Sequence, residues 1–215
     1  MLVMTGKFIT FEGPEGSGKS TQIKLLAEHL ANRGINILCT REPGGTATGE
    51  AIRNILQHDA VDENLNERAE LLLFTASRAQ LMSQVIQPAL DRGEWVVCDR
   101  FIDSTMAYQG FARGMDIEVL NRINNFSIDG RKPDLTLLLD MDIEGGFQRL
   151  EERYSDGKGS ADRFEREARD FHRRVRDGYH QLAEREPERF RTIDADQSID
   201  EVAEQVRHIV SEALL

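Results

Sequence analysis

Residues Gly13-Pro14-Glu15-Gly16-Ser17-Gly18-Lys19-Ser20 fit the pattern G-x-x-x-x-G-K-[ST] without a mismatch. A loop of this kind constrains its surroundings: it needs a strand before it and a helix after it. Both are legible. Lys7-Phe8-Ile9-Thr10-Phe11-Glu12 is apolar and β-rich, as a buried strand is. Ile23, Leu26, Ala27 and Leu30 then recur at the spacing of an amphipathic helix, and Gly34 stops it. The glycines let successive backbone N–H groups face phosphate oxygens, Lys19 can reach the β- and γ-phosphates, and the Ser20 hydroxyl can reach a metal. Residues Gly13 to Thr21 are therefore expected to hold a nucleoside polyphosphate with its magnesium.

The rest of the chain alternates strand-like and helix-like segments. Strands are expected at Ile35–Thr40, at Trp95–Cys98 ending in Asp99, at Leu135–Leu139 ending in Asp140, and more weakly at Phe190–Ile193. Glu67–Leu90 reads as one long helix. Ser198-Ile199-Asp200-Glu201 reads as a capping box that opens a last helix. Such alternation predicts a three-layer αβα fold with a five-stranded parallel sheet covered on both faces. Ligands of such sheets sit at the strands' C-terminal ends. That rim would hold Glu12, Arg41, Asp99 and Asp140.

Length and charge narrow the options. A chain of 215 residues fits one α/β domain spanning 1–215, and a net charge of −11 argues against a nucleic-acid surface as the main partner. Cys39 and Cys98 lie in apolar runs without metal-ligand spacing, so both read as buried, inert thiols. No apolar run reaches membrane-spanning length and the N-terminus lacks a signal-peptide pattern, so no membrane partner and a cytoplasmic location are expected.

Asp99, directly followed by Arg100, is the preferred second metal-side carboxylate; Asp140-Met141-Asp142 precedes a helical run, and capping that helix is the ordinary role there. Phe74 and Arg78 are four apart on one helix face, a spacing that suits a ring stacked on a base beside a guanidinium on its edge, and equally suits a core contact beside a surface charge. The segment from about 151 to 163 breaks the regular pattern with Ser155-Asp156-Gly157-Lys158-Gly159-Ser160. It reads either as a solvated turn or as a lid whose Arg149, Arg153, Lys158 and Arg163 close over phosphates. After it, Phe164, Ala168, Phe171, Val175 and Leu182 follow a helical stripe.

Four strings together resemble the thymidylate kinase family: Thr10 to Gln22, Thr40-Arg41-Glu42-Pro43-Gly44-Gly45-Thr46, Leu73 to Gln80, and Asp99 to Gly110. The resemblance implies the P-loop nucleoside monophosphate kinase fold with a lid, and transfer of the γ-phosphate of ATP to dTMP, with Mg²⁺, by a homodimer. It implies that Phe74 stacks on thymine, that Arg78 bonds the base, and that Thr105 and Gln109 help select thymine over cytosine. Tyr108 would lie beneath the sugar, Arg41 and Arg100 around the acceptor phosphate, and Glu12 near the 3′-hydroxyl and the phosphates. Asp99 would reach magnesium through water, with Ser20 as a direct ligand. Some members carry an arginine just after the loop's first glycine; here Pro14-Glu15-Gly16-Ser17 supply no cation before Lys19. The catalytic charge is then expected from the lid, as in the bacterial pattern, with Arg153 preferred and Arg149 and Arg163 as competitors. Alternatives are another P-loop nucleoside or nucleotide kinase and, from another class, a GTP-binding switch; no Asn precedes a Lys to begin the guanine-reading motif of such switches.

Overall fold

A computed structural model describes residues 6–57, 65–157 and 162–215. In chain order the elements are β1 (Phe8–Glu12), α1 (Lys19–Asn32), β2 (Ile37–Arg41), α2 (Ala47–Gln57), α3 (Glu67–Leu81), α4 (Gln87–Asp91), β3 (Trp95–Asp99) and α5 (Ile102–Thr105). They continue with α6 (Ile117–Ser127), β4 (Leu135–Asp140), α7 (Ile143–Ser155), α8 (Arg169–Arg185), β5 (Phe190–Asp194) and α9 (Ile199–Leu214). Two π-helical stretches, Met82–Ile86 and Met106–Ala112, join α3 to α4 and extend α5.

The strands form one parallel sheet in the order β2-β3-β1-β4-β5. Alternation along β1 divides the core. Ile9 and Phe11 face α1 and α9, packing with Leu26, Leu30, Val202 and Val206. Phe8 faces the other way, into a cluster with Leu81, Ile86, Val96 and Phe101. Beside that cluster, Leu138 packs with Met106, Phe171 and Val175 beneath α8. The predicted three-layer αβα architecture with five parallel strands is the one observed.

Several expectations shift in detail. The Glu67–Leu90 segment is not one α-helix: it widens to a π-turn at Met82–Ile86, just before Pro88, which has no N–H to return to the preceding turn. The second strand starts later, at Ile37, and is an edge of the sheet, which leaves Cys39 exposed; only Cys98 is buried. Asp140 does not cap α7. Asp142 does, accepting from the N–H groups of Glu144 and Gly145, while Asp140 is held by Arg176 at 2.7 Å. The Ser198–Glu201 capping box is present. Phe164 and Ala168 precede α8, with Ala168 at its N-cap.

Candidate active site

The β1–α1 loop is built by close approach. At Gly13, with φ 141°, an added Cβ would lie 2.3 Å from the Leu139 carbonyl oxygen, and at Gly16, with φ 75°, it would lie 2.1 Å from that of Gly146. The loop thus rests directly on β4 and on α7, the helix that leads into the expected lid. Gly18, left-handed, caps α1, so the first N–H groups of that helix border the cleft. A cavity of about 510 Å³ opens there, lined by Glu15 through Thr21 together with Arg41, Arg53, Asp99, Arg100 and Arg153. Lys19 is folded into the loop, donating to the carbonyls of Gly13 at 3.0 Å and Pro14 at 2.9 Å. Burial, with Arg100 nearby, pulls its ammonium down to about 8. Ser20 donates to Asp99 at 3.0 Å, so a hydroxyl and a carboxylate stand side by side where β3 ends. The described residues contain no group of three or more His, Cys, Asp or Glu able to hold a metal. A hydroxyl backed by one carboxylate nevertheless fits Mg²⁺ bound mainly through phosphate oxygens and water.

Arg100 lies just past β3 with φ 66°, a left-handed conformation that costs roughly 1–2 kcal/mol for a residue with a Cβ. Side-chain bonds hold it there: to Glu15 at 2.6 Å, to the Gly13 carbonyl at 3.3 Å, and to Tyr179 at 3.2 Å. Glu15 also accepts from Tyr108 at 2.7 Å. Burial would raise the Glu15 carboxyl, but Arg100 and Lys19 outweigh it and bring it to about 2. Glu12, the last residue of β1, has the opposite fate. It is fully buried, accepting from the Phe101 N–H at 2.7 Å, Ser104 Oγ at 2.6 Å and Tyr179 at 2.9 Å. Burial, then the negative Asp103, push it up to about 7.

A second, narrower cleft of about 40 Å³ joins the first at Arg100 and Glu15. Phe74, Arg78, Thr105, Tyr108 and Gln109 all line it, so the residues expected around a base and sugar are gathered in one place. Arg78 is buried, donating to Glu42 at 2.8 Å, Asn124 at 2.7 Å and Thr105 at 2.9 Å, which fixes its guanidinium in one plane. Glu42 Oε1 is buried with no hydrogen-bond partner, in a residue that lines the same cleft. Tyr108 and Gln109 lie in the π-helical stretch Met106–Ala112, whose wider turn carries them on one wall.

The expected lid arginines go to different places. Arg153 lines the phosphate cavity and pairs with Glu165 at 3.1 Å. Arg149 donates to the Ala195 carbonyl at 3.0 Å. Arg163 turns to α3, meeting Glu70 at 2.6 Å. Lys158 lies outside the described residues. Arg41 is half exposed and bonded to Glu50 at 2.8 Å.

Sequence reasoning missed several groups. Arg53, on α2, lines the phosphate cavity and donates to the Pro43 carbonyl at 2.9 Å; it sits between the buried Ile52 and Leu56, where it looked like an ordinary surface arginine. Phe164 followed the apolar stripe of α8 but belongs to the base-side cleft, 5.7 Å from Phe74 and 5.9 Å from Tyr108. Asp162 lines both cavities. The side chain of Glu15, expected only as part of the phosphate loop, organises Arg100 and Tyr108.

A glycine-rich phosphate loop at the end of the first strand, with a second, aromatic-lined cleft meeting it at an arginine, defines a P-loop nucleotide kinase. The thymidylate kinase family model matches residues 11–206. Thymidylate kinase of Halothermothrix orenii is 49% identical over 212 residues, covering 99% of this chain and 100% of that protein. That of Pelotomaculum thermopropionicum is 54% identical over 192 residues, covering 89% of this chain and 87% of the other. The crystal structure of thymidylate kinase from Ehrlichia chaffeensis superposes with a TM-score of 0.76 at 37% identity, covering 96% of this chain and 98% of that one. The chain belongs to the thymidylate kinase family.

Proposed function

We propose that the protein transfers the γ-phosphate of ATP to dTMP, giving dTDP. The observation that carries this reading is the meeting of two cavities at Arg100: the phosphate-loop side takes the triphosphate, and the Phe74–Arg78–Gln109 side takes the base. Phosphoryl transfer asks the protein mainly for alignment and for positive charge around the moving group. Lys19 leaves the loop carbonyls for the β- and γ-phosphates, and the α1 N–H groups hold the remaining oxygens. Arg100, fixed by Glu15, and Arg41 with Arg53 hold the acceptor phosphate. Phe74 stacks on the base, Arg78 and Thr105 bond its edge, Tyr108 supports the sugar, and Glu12 lies beside the 3′-hydroxyl. The acceptor oxygen is already anionic near neutrality, so no general base is needed. Ser20, with Asp99 behind it, would hold Mg²⁺, which would supply charge neutralisation at the phosphates.

The segment from about 151 to 163 acts as a lid over the transferring phosphate, within one domain spanning residues 1–215. Arg153, in the phosphate cavity, is its catalytic arginine; Arg163 and Arg149 have partners elsewhere, which supports this choice. Homodimerisation belongs to the same reading. α3 and α6 expose Leu72 and Phe126, the latter 89% accessible, around an apolar groove beside the helix that carries Phe74 and Arg78. Two free thiols suit a reducing, cytoplasmic setting. Among the described residues no helix is long and apolar enough to cross a membrane. A net charge of −11 argues against a nucleic-acid surface, whereas a small phosphorylated ligand needs only a local basic pocket.

The direct test is a coupled assay of ADP release with dTMP, dUMP, dCMP, AMP and GMP as acceptors. A clear preference for dTMP is expected, and no preference would sink the assignment.

A further inference from the structure

Glu70 stands one helical turn before Phe74 and two before Arg78, on the same face of α3. It is a charged residue only 1% exposed, and three polar side chains from two other parts of the chain converge on it. Gln109 Nε2 donates to its Oε1 at 2.8 Å. Arg163, at the end of the lid segment, donates to its Oε2 at 2.6 Å and anchors itself further on the Leu56 carbonyl at 3.0 Å. Arg113 reaches both oxygens, at 3.3 and 3.4 Å. A buried carboxylate so compensated is held rigidly, because each guanidinium is a planar donor with a fixed fork.

The consequence falls on Gln109. A side-chain amide has one donor end and one acceptor end, and which way it faces is decided by its partners. An ionised carboxylate only accepts. Glu70 therefore obliges Gln109 to turn its NH₂ toward α3, and the amide oxygen is left on the other side of a residue that lines the base cleft. The polarity matters for a pyrimidine. Thymine and uracil carry a hydrogen on N3; cytosine carries a lone pair there. An amide oxygen accepts from the first two and opposes the third, whereas a rotated amide would reverse this preference. A buried site that leaves a polar group unpaired rejects the wrong ligand strongly.

We propose that Glu70 is a positioning residue that fixes the orientation of the Gln109 amide, and thereby sets the preference for a pyrimidine bearing N3–H over cytosine. Glu70 touches no reacting atom; it acts through Gln109. The inference rests on the reading of the Phe74–Arg78–Gln109 cleft as the base site. It also explains why Arg163 and Arg113 turn to α3: without them the carboxylate would be buried with a single amide for company.

The test uses the full chain with ATP in excess, and dTMP, dUMP and dCMP as acceptors. Glu70→Gln has the same shape but can itself donate, so it releases the amide. The dTMP-to-dCMP ratio of kcat/KM should fall about tenfold or more, while the dTMP-to-dUMP ratio and the KM for ATP stay within about twofold, since dUMP shares the N3–H. A smaller fall overturns the assignment, and so does a parallel loss on all three substrates. The swap Glu70→Gln/Gln109→Glu restores an amide–carboxylate pair with the acceptor still at position 109, and serves if the single variant does not fold. It should keep the dTMP-to-dCMP ratio within about threefold of the original, and loss of the preference there overturns the proposal. A native chain with no preference for dTMP would instead sink the reading of the base site itself.

Discussion

Arg153 is tied to Glu165 at 3.1 Å while lining the phosphate cavity. Arg153 also donates to the Tyr154 hydroxyl, which donates to the same Glu165, so the arginine is held at the cavity's edge by a neighbour within the lid segment and a residue just after it. It is 49% exposed in its side chain, so its pairing with Glu165 is worth little in stability and is readily exchanged for a phosphate. With no arginine in the phosphate loop, Arg153→Ala should lower kcat by roughly 10²–10³-fold and change the KM for ATP far less. Steady-state kinetics with both substrates varied decide this. An unchanged kcat moves the role to another lid residue.

The exposed ring of Phe126 gives a test of the assembly. Leu72 and Phe126 border one apolar groove on α3 and α6, and a second copy of the chain would cover it. Phe126→Glu places a charge at its centre and should convert a dimer to a monomer at micromolar concentration, read by light scattering on a sizing column. A native chain that is already monomeric removes this part of the reading.

Phe74 tests the base site. Its ring packs against Phe164 at 5.7 Å and lines the narrow cleft, and a base stacked there gains roughly 1–3 kcal/mol by analogy with stacking on single-stranded nucleic acid. Phe74→Ala should therefore raise the KM for dTMP by roughly 5- to 150-fold and leave the KM for ATP unchanged. Equal loss on both substrates would mark general unfolding.

How much of this was readable beforehand depends on the length scale of each signal. The loop, the strand ends and the capping box are local: Gly13–Ser20 and Ser198–Glu201 declare themselves within a few residues, and both are where expected. The gathering of Phe74, Arg78, Thr105, Tyr108 and Gln109 in one cleft came from resemblance, because spacing alone allowed Phe74 and Arg78 to be a core contact and a surface charge. Long-range pairings had no sequence signal at all. Arg163 and Arg153 look alike in a charge-rich, glycine-broken segment, and only packing sends one to Glu70 and the other to Glu165 at the edge of the cavity over the glycine-rich loop. Cys39 was misread because nothing local says that β2 is an edge strand.

Lys19 gives a pH dependence. Burial, then the neighbouring Arg100, lower its ammonium to about 8, and the Glu15 carboxylate works in the opposite sense. The charged form is the one that attracts phosphate. In the free enzyme kcat/KM for ATP should therefore decline as pH rises through about 8. Glu15→Gln removes a charge that supports the ammonium, so the decline should begin at lower pH. A profile for kcat/KM that stays flat to pH 9.5, roughly the range over which an unperturbed lysine remains charged, would contradict this.

Glu12 gives a dependence of stability on pH. Its carboxyl is raised from 4.5 to about 7, first by burial and then by Asp103, although Ser104, Arg100 and Tyr179 favour the charged form. Between those two values the folded chain keeps a proton that the unfolded chain has released. The folded state binds more protons, so this group's contribution falls as pH rises from about 4.5 and reaches its full penalty above about 7. The penalty is on the order of 3 kcal/mol. Glu12→Gln removes it while keeping an acceptor for the Phe101 N–H, and its NH₂ meets the Ser104 and Tyr179 hydroxyl oxygens, which can accept. At pH 8 the variant should melt higher than the native chain by roughly 5–10 °C, and the gap should close toward pH 5. Thermal melts of both proteins across that range check it: a gap that does not change with pH would show that Glu12 is ionised throughout, and its burial already compensated by the hydroxyls around it.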